Sequence, residues 1–289
     1  MHSLSSSTRT QFASLLEEYP NLIENIRRTK LYASTSPLTP LKPDQRLPPV
    51  RVEVINGDTL DVTREVMFGP KTVGDVGESA AAAGGQPRLR PLVLNMANPD
   101  NPGGGWLHGA RAQEEQIFYR STYDLSLSNH LNMDPNRTWS YPIPPKGAIC
   151  SPGVLVFRAN SYEKYRLLPT SERFFADFVA AAAIIFPRTV RPQGSLYHQL
   201  NESDTALTKD KIRTILRVSL DNGNDSLVLG AFGCGAFLNP PEHMASLFHQ
   251  VFLEEEFKGR WKRVVFAVMD PKGEGNCDVF HEELQGVEI

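Results

Sequence analysis

Residues 91–97 read PLVLNMA. A short, continuous apolar run of this kind predicts a strand buried on both faces. It leads into NMANPDNPGGGWLHGARAQEEQIFYRST, residues 95–122, read as a glycine-rich loop followed by a helix from about Gln113 to Tyr123. The arrangement recurs in SLVLGAFGCGAFLNPPEHM, residues 226–244. There the strand candidate Ser226–Phe232 precedes Gly230, Gly233 and Gly235, and Pro240-Pro241 opens a helix at a position where proline is tolerated. Two strand, glycine loop and helix units place the chain in the α/β class, with ligands expected at loops beyond the strand ends.

Working outward, VRVEVIN at 50–56 is β-branched and ends in Gly57-Asp58, a strand that turns. A short helix is expected from Thr59 as N-cap through Val66. Gly153–Phe157, Phe175–Ala182 and Arg263–Met269 are further strand candidates. The run Phe178–Phe186 is ambiguous, because its alanines suit a helix equally well. Apolar residues at helical spacing mark Lys209–Leu220 and Pro241–Phe257 as helices. The sum is a mixed sheet covered on both faces, with no internal repeat.

The flanks differ from this body. Residues 8–33 carry Phe12, Leu15, Leu16, Tyr19, Ile23 and Ile26 at spacings of three and four, one or two amphipathic helices. STSPLTPLKPDQRLPP at 34–49 contains five prolines, which forbid regular helix and favour an extended wrap. Residues 1–49 are therefore expected as an N-terminal helical extension and proline-rich linker, and residues 50–289 as the main domain. An AAAAGG tract, Ala80–Gly85 within 71–90, reads as a surface loop or flexible insert.

Composition narrows the function classes. The chain has 289 residues, 40% of them hydrophobic, with 21 glycines and 22 prolines, enough for a sizeable core with many fixed turns. Thirty basic and 33 acidic residues give a net charge of −3, so no global field draws it onto a polyanion. An anionic ligand must be held locally. The longest apolar run, Phe178–Phe186, is far short of the roughly 20 residues of a spanning helix. Cys150, Cys234 and Cys277 are scattered and odd in number, which argues for a reducing compartment. The reading is an intracellular protein, cytoplasmic or nuclear, without membrane binding. The hydroxyl-rich start MHSLSSSTRTQF imitates a transit peptide, but Glu17 and Glu18 follow at once.

Gly103, Gly104 and Gly105 have no side chains to shield their amides, so the backbone there can curl round a phosphate or sugar; a tight turn crowded against another element is the plainer reading. Gln113, Glu114 and Glu115 open the helix. Carboxylates in a first turn complement the helix dipole. A catalytic acid requires the reverse, a carboxyl in a partly desolvated cleft that keeps its proton. The second loop, before a helix N-terminus, suits an anion. It lacks the Lys-Ser or Lys-Thr of a Walker loop, and its glycines run GxxGxG, the wrong order for a dinucleotide fingerprint. No metal site is expected, since His243 and His249 fall on different helix faces and no HExxH or CxxC occurs. Cys234 reads as a small residue fitted to a tight loop rather than a nucleophile.

GGGWLHGARAQEE resembles the GGG and QEE signature of poly(ADP-ribose) glycohydrolases, and GAFGCGAFLNP resembles that family's diphosphate-binding loop. The likeness is to the compact bacterial-type members, also found in some fungi, and covers roughly residues 50–285. It implies a macrodomain-like three-layer α/β/α fold and an enzyme, with no cofactor, that hydrolyses ribose–ribose bonds mainly from chain ends. ADP-ribose would be the product, poly(ADP-ribose) or ADP-ribosylated proteins the substrate, and a monomer the working form, in reversal of ADP-ribosylation such as follows DNA damage. By position, Glu115 would be the catalytic residue, Glu114 would fix ribose hydroxyls, and Gln113 would orient the pair. Asn98 and Gly103–Gly105 would meet the distal ribose, and Asp58 the adenine amino group. Ala231, Phe232, Gly233, Cys234, Gly235, Ala236 and Phe237 would wrap the diphosphate. Tyr162, Tyr165 and Tyr197 are candidate adenine neighbours, and His108 and Arg111 candidate contacts to polymer phosphates. The rival functions are a module that binds ADP-ribose without cutting it, and a mono-ADP-ribosyl hydrolase.

Overall fold

The computed structural model describes residues 3–70, 89–271 and 273–289. The tract Ala80–Gly85 lies outside them. In chain order the elements are α1 (Leu4–Arg9), α2 (Phe12–Glu18), α3 (Asn21–Arg27), β1 (Lys30–Tyr32), β2 (Glu53–Ile55), α4 (Thr59–Phe68), β3 (Pro91–Met96), α5 (Gln113–Arg120) and α6 (Tyr123–Leu127). They continue with β4 (Ala148–Val156), β5 (Phe174–Ala181), β6 (Thr189–Val190), β7 (Gln199–Leu200), α7 (Glu202–Asp221), β8 (Ser226–Leu229), α8 (Pro241–Phe252), β9 (Arg263–Ala267) and α9 (Asn276–Leu284).

Seven strands form one mixed sheet in the order β1-β4-β5-β3-β8-β9-β2. β5, β3, β8, β9 and β2 run parallel, while β4 is antiparallel to both β5 and β1. Val93 of β3 sits level with Phe178 of β5 and Val228 of β8, and Val228 level with Val265 of β9. Strand period two then sorts the side chains. Leu92, Leu94, Leu227, Leu229, Val264 and Phe266 point to the face covered by α7, α8 and α9. Val93, Val228, Val265 and Ala267 point to the face covered by α4, α5 and α6. Both faces are apolar because both are buried, as parallel sheets require.

That pairing resolves the Phe178 run. Its residues 178–180 lie between β3 and β4 in continuous register, so two neighbouring ladders outweigh the helix preference of alanine. Several boundaries move. Asp58, not Thr59, caps α4, its carboxylate accepting the N–H groups of Leu60 and Asp61. The helix begun at Gln113 breaks at Ser121, whose φ of −141° is extended, and restarts as α6. α7 begins at Glu202 on an Asn201 cap, earlier than its apolar stripe suggests, and α8 ends at Phe252.

The N-terminal segment packs into the body. β1 is the sheet's edge strand, and Phe12, Leu15, Leu22 and Ile26 of α2 and α3 form a cluster with Leu125, Leu155 and Phe157. Pro20 separates the two helices.

The site follows from one topological fact. The chain leaves β3 for α5 on one face and leaves the adjacent β8 for α8 on the other. At such a switch point the two connections diverge and open a crevice at the strand C-termini.

Candidate active site

The crevice is a cleft of about 830 Å³, in the size range of small-ligand sites. Both glycine loops border it, with Asp58 at the start of α4, and Val268, Met269, Pro271, Glu274 and Asn276 beyond β9.

Gln113 fastens α5 to the sheet. Its Oε1 accepts the N–H of Met96 at 3.0 Å and its Nε2 donates to the carbonyl of Leu94 at 2.6 Å, so the side chain continues the ladder where β3 ends. This fixes the first turn, and with it the two glutamates. Glu114 is buried. Its Oε1 accepts from Gly103 N at 3.1 Å and Asn95 Nδ2 at 3.2 Å, and its Oε2 from Asn98 N at 2.7 Å. Burial pushes its carboxyl up to about 8, against the three N–H donors that favour the ionised form and with help from neighbouring Glu115. The resemblance assigns the catalytic role to Glu115; Glu114 beside it is slightly the more deeply enclosed of the two.

Glu115 is also buried, yet lines the cleft. Its Oε1 accepts the N–H of Gly105 at 2.9 Å, while its Oε2 has no hydrogen-bond partner among the described residues. Gly104, with φ of +52°, lies against both carboxylates: a Cβ there would be 2.7 Å from Glu115 Oε1 and 3.2 Å from Glu114 Oε2. Gly103 is turned inward, its Cβ position 2.6 Å from the rings of Phe118 and Trp106. Its amide serves Glu114. Only Gly104 and Gly105 of the triplet border the cleft itself.

Asn98 borders the cleft too, its Oδ1 closing the local turn by accepting the N–H groups of Asp100 and Asn101. In the second loop, Ala231, Gly233, Gly235, Ala236 and Phe237 face the cleft. Phe232 and Cys234 do not. Their side chains are buried in the core beneath, and burial raises the Cys234 thiol. Gly233, at φ of +77°, is wedged between Ala183 and Asn239, and Asn239 clamps the loop through Nδ2 to the carbonyls of Ile184 and Gly233.

Tyr162, Tyr165 and Arg111 line the cleft, whereas Tyr197 and His108 are exposed away from its lining. Tyr165 donates its hydroxyl to Gln116 Oε1 at 3.0 Å. Sequence reasoning missed Asn160, Asn276 and the buried Arg120. Arg120 stands seven residues after Gln113, two turns along the same helix stripe, and that spacing was its only signal. Pro271 and Glu274 gave no signal beyond their place after a strand. Among the described residues no three His, Cys, Asp or Glu side chains are grouped to hold a metal ion, and no helix is long and apolar enough to cross a membrane.

The family model described as microbial-type PARG, catalytic domain, matches residues 12–159, which hold Asp58, the glycine triplet and the glutamate pair. This chain belongs to that family. It is accordingly a glycoside hydrolase acting on poly(ADP-ribose). Among solved structures it is similar to the poly(ADP-ribose) glycohydrolase of Thermomonospora curvata, at 26% identity over 97% of each chain with a TM-score of 0.69. The same enzyme bound to the inhibitor ADP-HPD matches at 26% identity over 96% of this chain and 97% of that one, TM-score 0.65. The Deinococcus radiodurans glycohydrolase in complex with ADP-ribose matches at 25% identity over 93% and 91%, TM-score 0.58. Comparison with curated protein sequences finds no match.

Proposed function

We propose that this glycohydrolase releases ADP-ribose from the ends of poly(ADP-ribose), with Glu115 as the acid that frees the leaving sugar. The observation that carries this assignment is Glu115 Oε2, a buried carboxyl oxygen at the cleft with no hydrogen-bond partner among the described residues, on a group whose other oxygen is fixed by Gly105 N–H. A carboxyl held by one oxygen and open at the other is poised to exchange a proton with a ligand.

The scissile bond is an acetal linking two riboses. Protonation of the departing oxygen by Glu115 lets the C–O bond break through an oxocarbenium-like state. Water then adds to the sugar carbon and returns its proton to the Glu115 carboxylate. Adjacent glutamates cannot flank the bond at the ~5–9 Å separation of ordinary glycosidase pairs, so one residue serves as acid and then base, with the substrate's diphosphate helping to hold the water. Glu114, Asn98 and the Gly104–Gly105 turn border the same part of the cleft and are assigned to the distal ribose. The Ala231–Phe237 loop is assigned to the diphosphate, which its main-chain N–H groups suit without any basic patch. Asp58 is assigned to the adenine amino group. The chain-end preference rests on the likeness to compact members of the family.

The test is incubation with automodified polymerase, following free ADP-ribose. Wild type should release it, and Glu115→Gln should lose 10²–10⁴-fold in rate while still binding ADP-ribose. Undiminished release by Glu115→Gln would reject the choice of acid, and tight binding with no release by wild type would make the protein a reader.

A further inference from the structure

Behind the cleft wall lies a charged network that helix capping does not explain. Arg120, on the buried side of α5 with its side chain 2% exposed, reaches back to α4. Its Nη1 donates to Asp58 Oδ1 at 2.6 Å, its Nη2 to Asp61 Oδ1 at 2.8 Å, and its Nε to the carbonyl of Arg158 at 3.3 Å. Asn160 closes the far side, its Nδ2 donating to Asp61 Oδ2 at 2.6 Å. Asp58 Oδ1 therefore accepts three donors, Arg120 and the N–H groups of Leu60 and Asp61. Its Oδ2 accepts from none of the described residues, and Asp58 lines the cleft.

An N-cap aspartate is satisfied by the helix N–H groups alone, and enclosing a guanidinium costs several kcal/mol unless its partners repay it. What Arg120 adds is direction. Two helices, α4 and α5, are bridged by one planar group: one arm of its fork holds Asp58 Oδ1 while the other is anchored on Asp61, which sets the direction from which Asp58 is held.

We infer that Arg120 is a positioning residue for base selection: it holds Asp58 so that Oδ2 stands as a fixed acceptor at the nucleobase end of the cleft. This rests on the assignment of Asp58 to adenine. A carboxylate oxygen accepts only. Held rigidly, it takes an exocyclic amino group and repels the carbonyl that hypoxanthine carries at the same place; allowed to swing, it can turn away from that carbonyl and the discrimination fades.

The experiment measures Kd by calorimetry for ADP-ribose and for its inosine analogue, with hypoxanthine in place of adenine, on the full chain. Wild type should prefer ADP-ribose by at least tenfold, and Asp58→Asn should abolish that preference. Arg120→Lys, which keeps the charge and loses the fork, should cut the preference at least fivefold, with KM for polymer rising by more than kcat falls. Should Arg120→Lys fail to fold, Asp61→Ala at a half-exposed site removes one of the arginine's anchors and should cut the preference at least threefold. If wild type discriminates and Asp58→Asn does not, while Arg120→Lys or its substitute weakens both ligands in proportion, Arg120 is merely structural and the inference falls, with the Asp58 assignment intact. If wild type does not discriminate, the adenine assignment fails and takes this inference with it.

Discussion

Gly104 and Glu115 touch so closely that no side chain fits between them: a Cβ on Gly104 would lie 2.7 Å from Glu115 Oε1. The carboxylate is set in place by the absence of an atom as much as by the Gly105 amide. Gly104→Ala should therefore displace the carboxyl as well as strain a left-handed backbone, and a shift of about 1 Å at a reacting group costs on the order of 10²-fold. Gly109→Ala supplies the control, since φ there is +87° but nothing lies within 4 Å of its Cβ position. Steady-state release of ADP-ribose should fall steeply in the first variant and within about threefold in the second. Equal losses in both would show that backbone strain alone is responsible.

Glu114 makes stability depend on pH in an unusual direction. An unfolded glutamate releases its proton near 4.5, while the buried one retains it to about 8. Between those values the native state binds the extra proton, so stability falls as pH rises from about 5 to about 8, by up to several kcal/mol. Urea unfolding at pH 5, 6.5 and 8 should show this slope. Glu114→Gln should flatten it, at a cost of roughly 1–3 kcal/mol at pH 5, because an amide NH₂ must then face an N–H group of Asn98, Asn95 or Gly103. An identical slope in both proteins would mean that another group titrates.

The second glycine loop is held by crowding. A Cβ on Gly233 would lie 2.4 Å from Ala183 Cβ and 2.6 Å from Asn239 Nδ2. Gly233→Ala should push the loop into the cleft and raise the Kd for ADP-ribose at least tenfold. Asn239→Ala, which removes the clamp without adding bulk, should raise it less. Unchanged affinity in Gly233→Ala would separate this loop from the ligand.

The N-terminal helix supports the first glycine loop from outside. Arg9 pairs with the buried carboxylate of Asp124 at 2.8 Å and lies 5.1 Å over the ring of Trp106, the residue that follows the glycine triplet. Thr8 donates its hydroxyl to the carbonyl of Tyr119. Arg9→Ala should cost about 1–3 kcal/mol in urea unfolding, since Arg9 is one-third exposed and Ser128 still serves Asp124. A change below 0.5 kcal/mol would reduce α1 to a surface ornament.

Much of the cleft was legible because its makers are local. A strand, a glycine loop and a helix start declare themselves within about twenty residues, and GGG with QEE and GAFGCGAF needed no partner from elsewhere to be noticed. Boundaries set by distant pairing were not legible in this way: Phe178–Ala181 is a strand only because β3 and β4 flank it, and the N-terminal segment joins the sheet only because β4 offers it an edge. Arg120 stayed hidden for the same reason, its partners lying about sixty residues away in α4.

The sequence by itself determined the α/β class, the two glycine loops and the glutamate pair, since hydrophobic period and backbone freedom are properties of neighbouring residues. Only the tertiary structure decided that burial drives up the Glu114 carboxyl and that Glu115 Oε2 has no partner among the described residues. Those outcomes depend on how much water is removed and which N–H groups converge, and both are set by elements far apart in the chain.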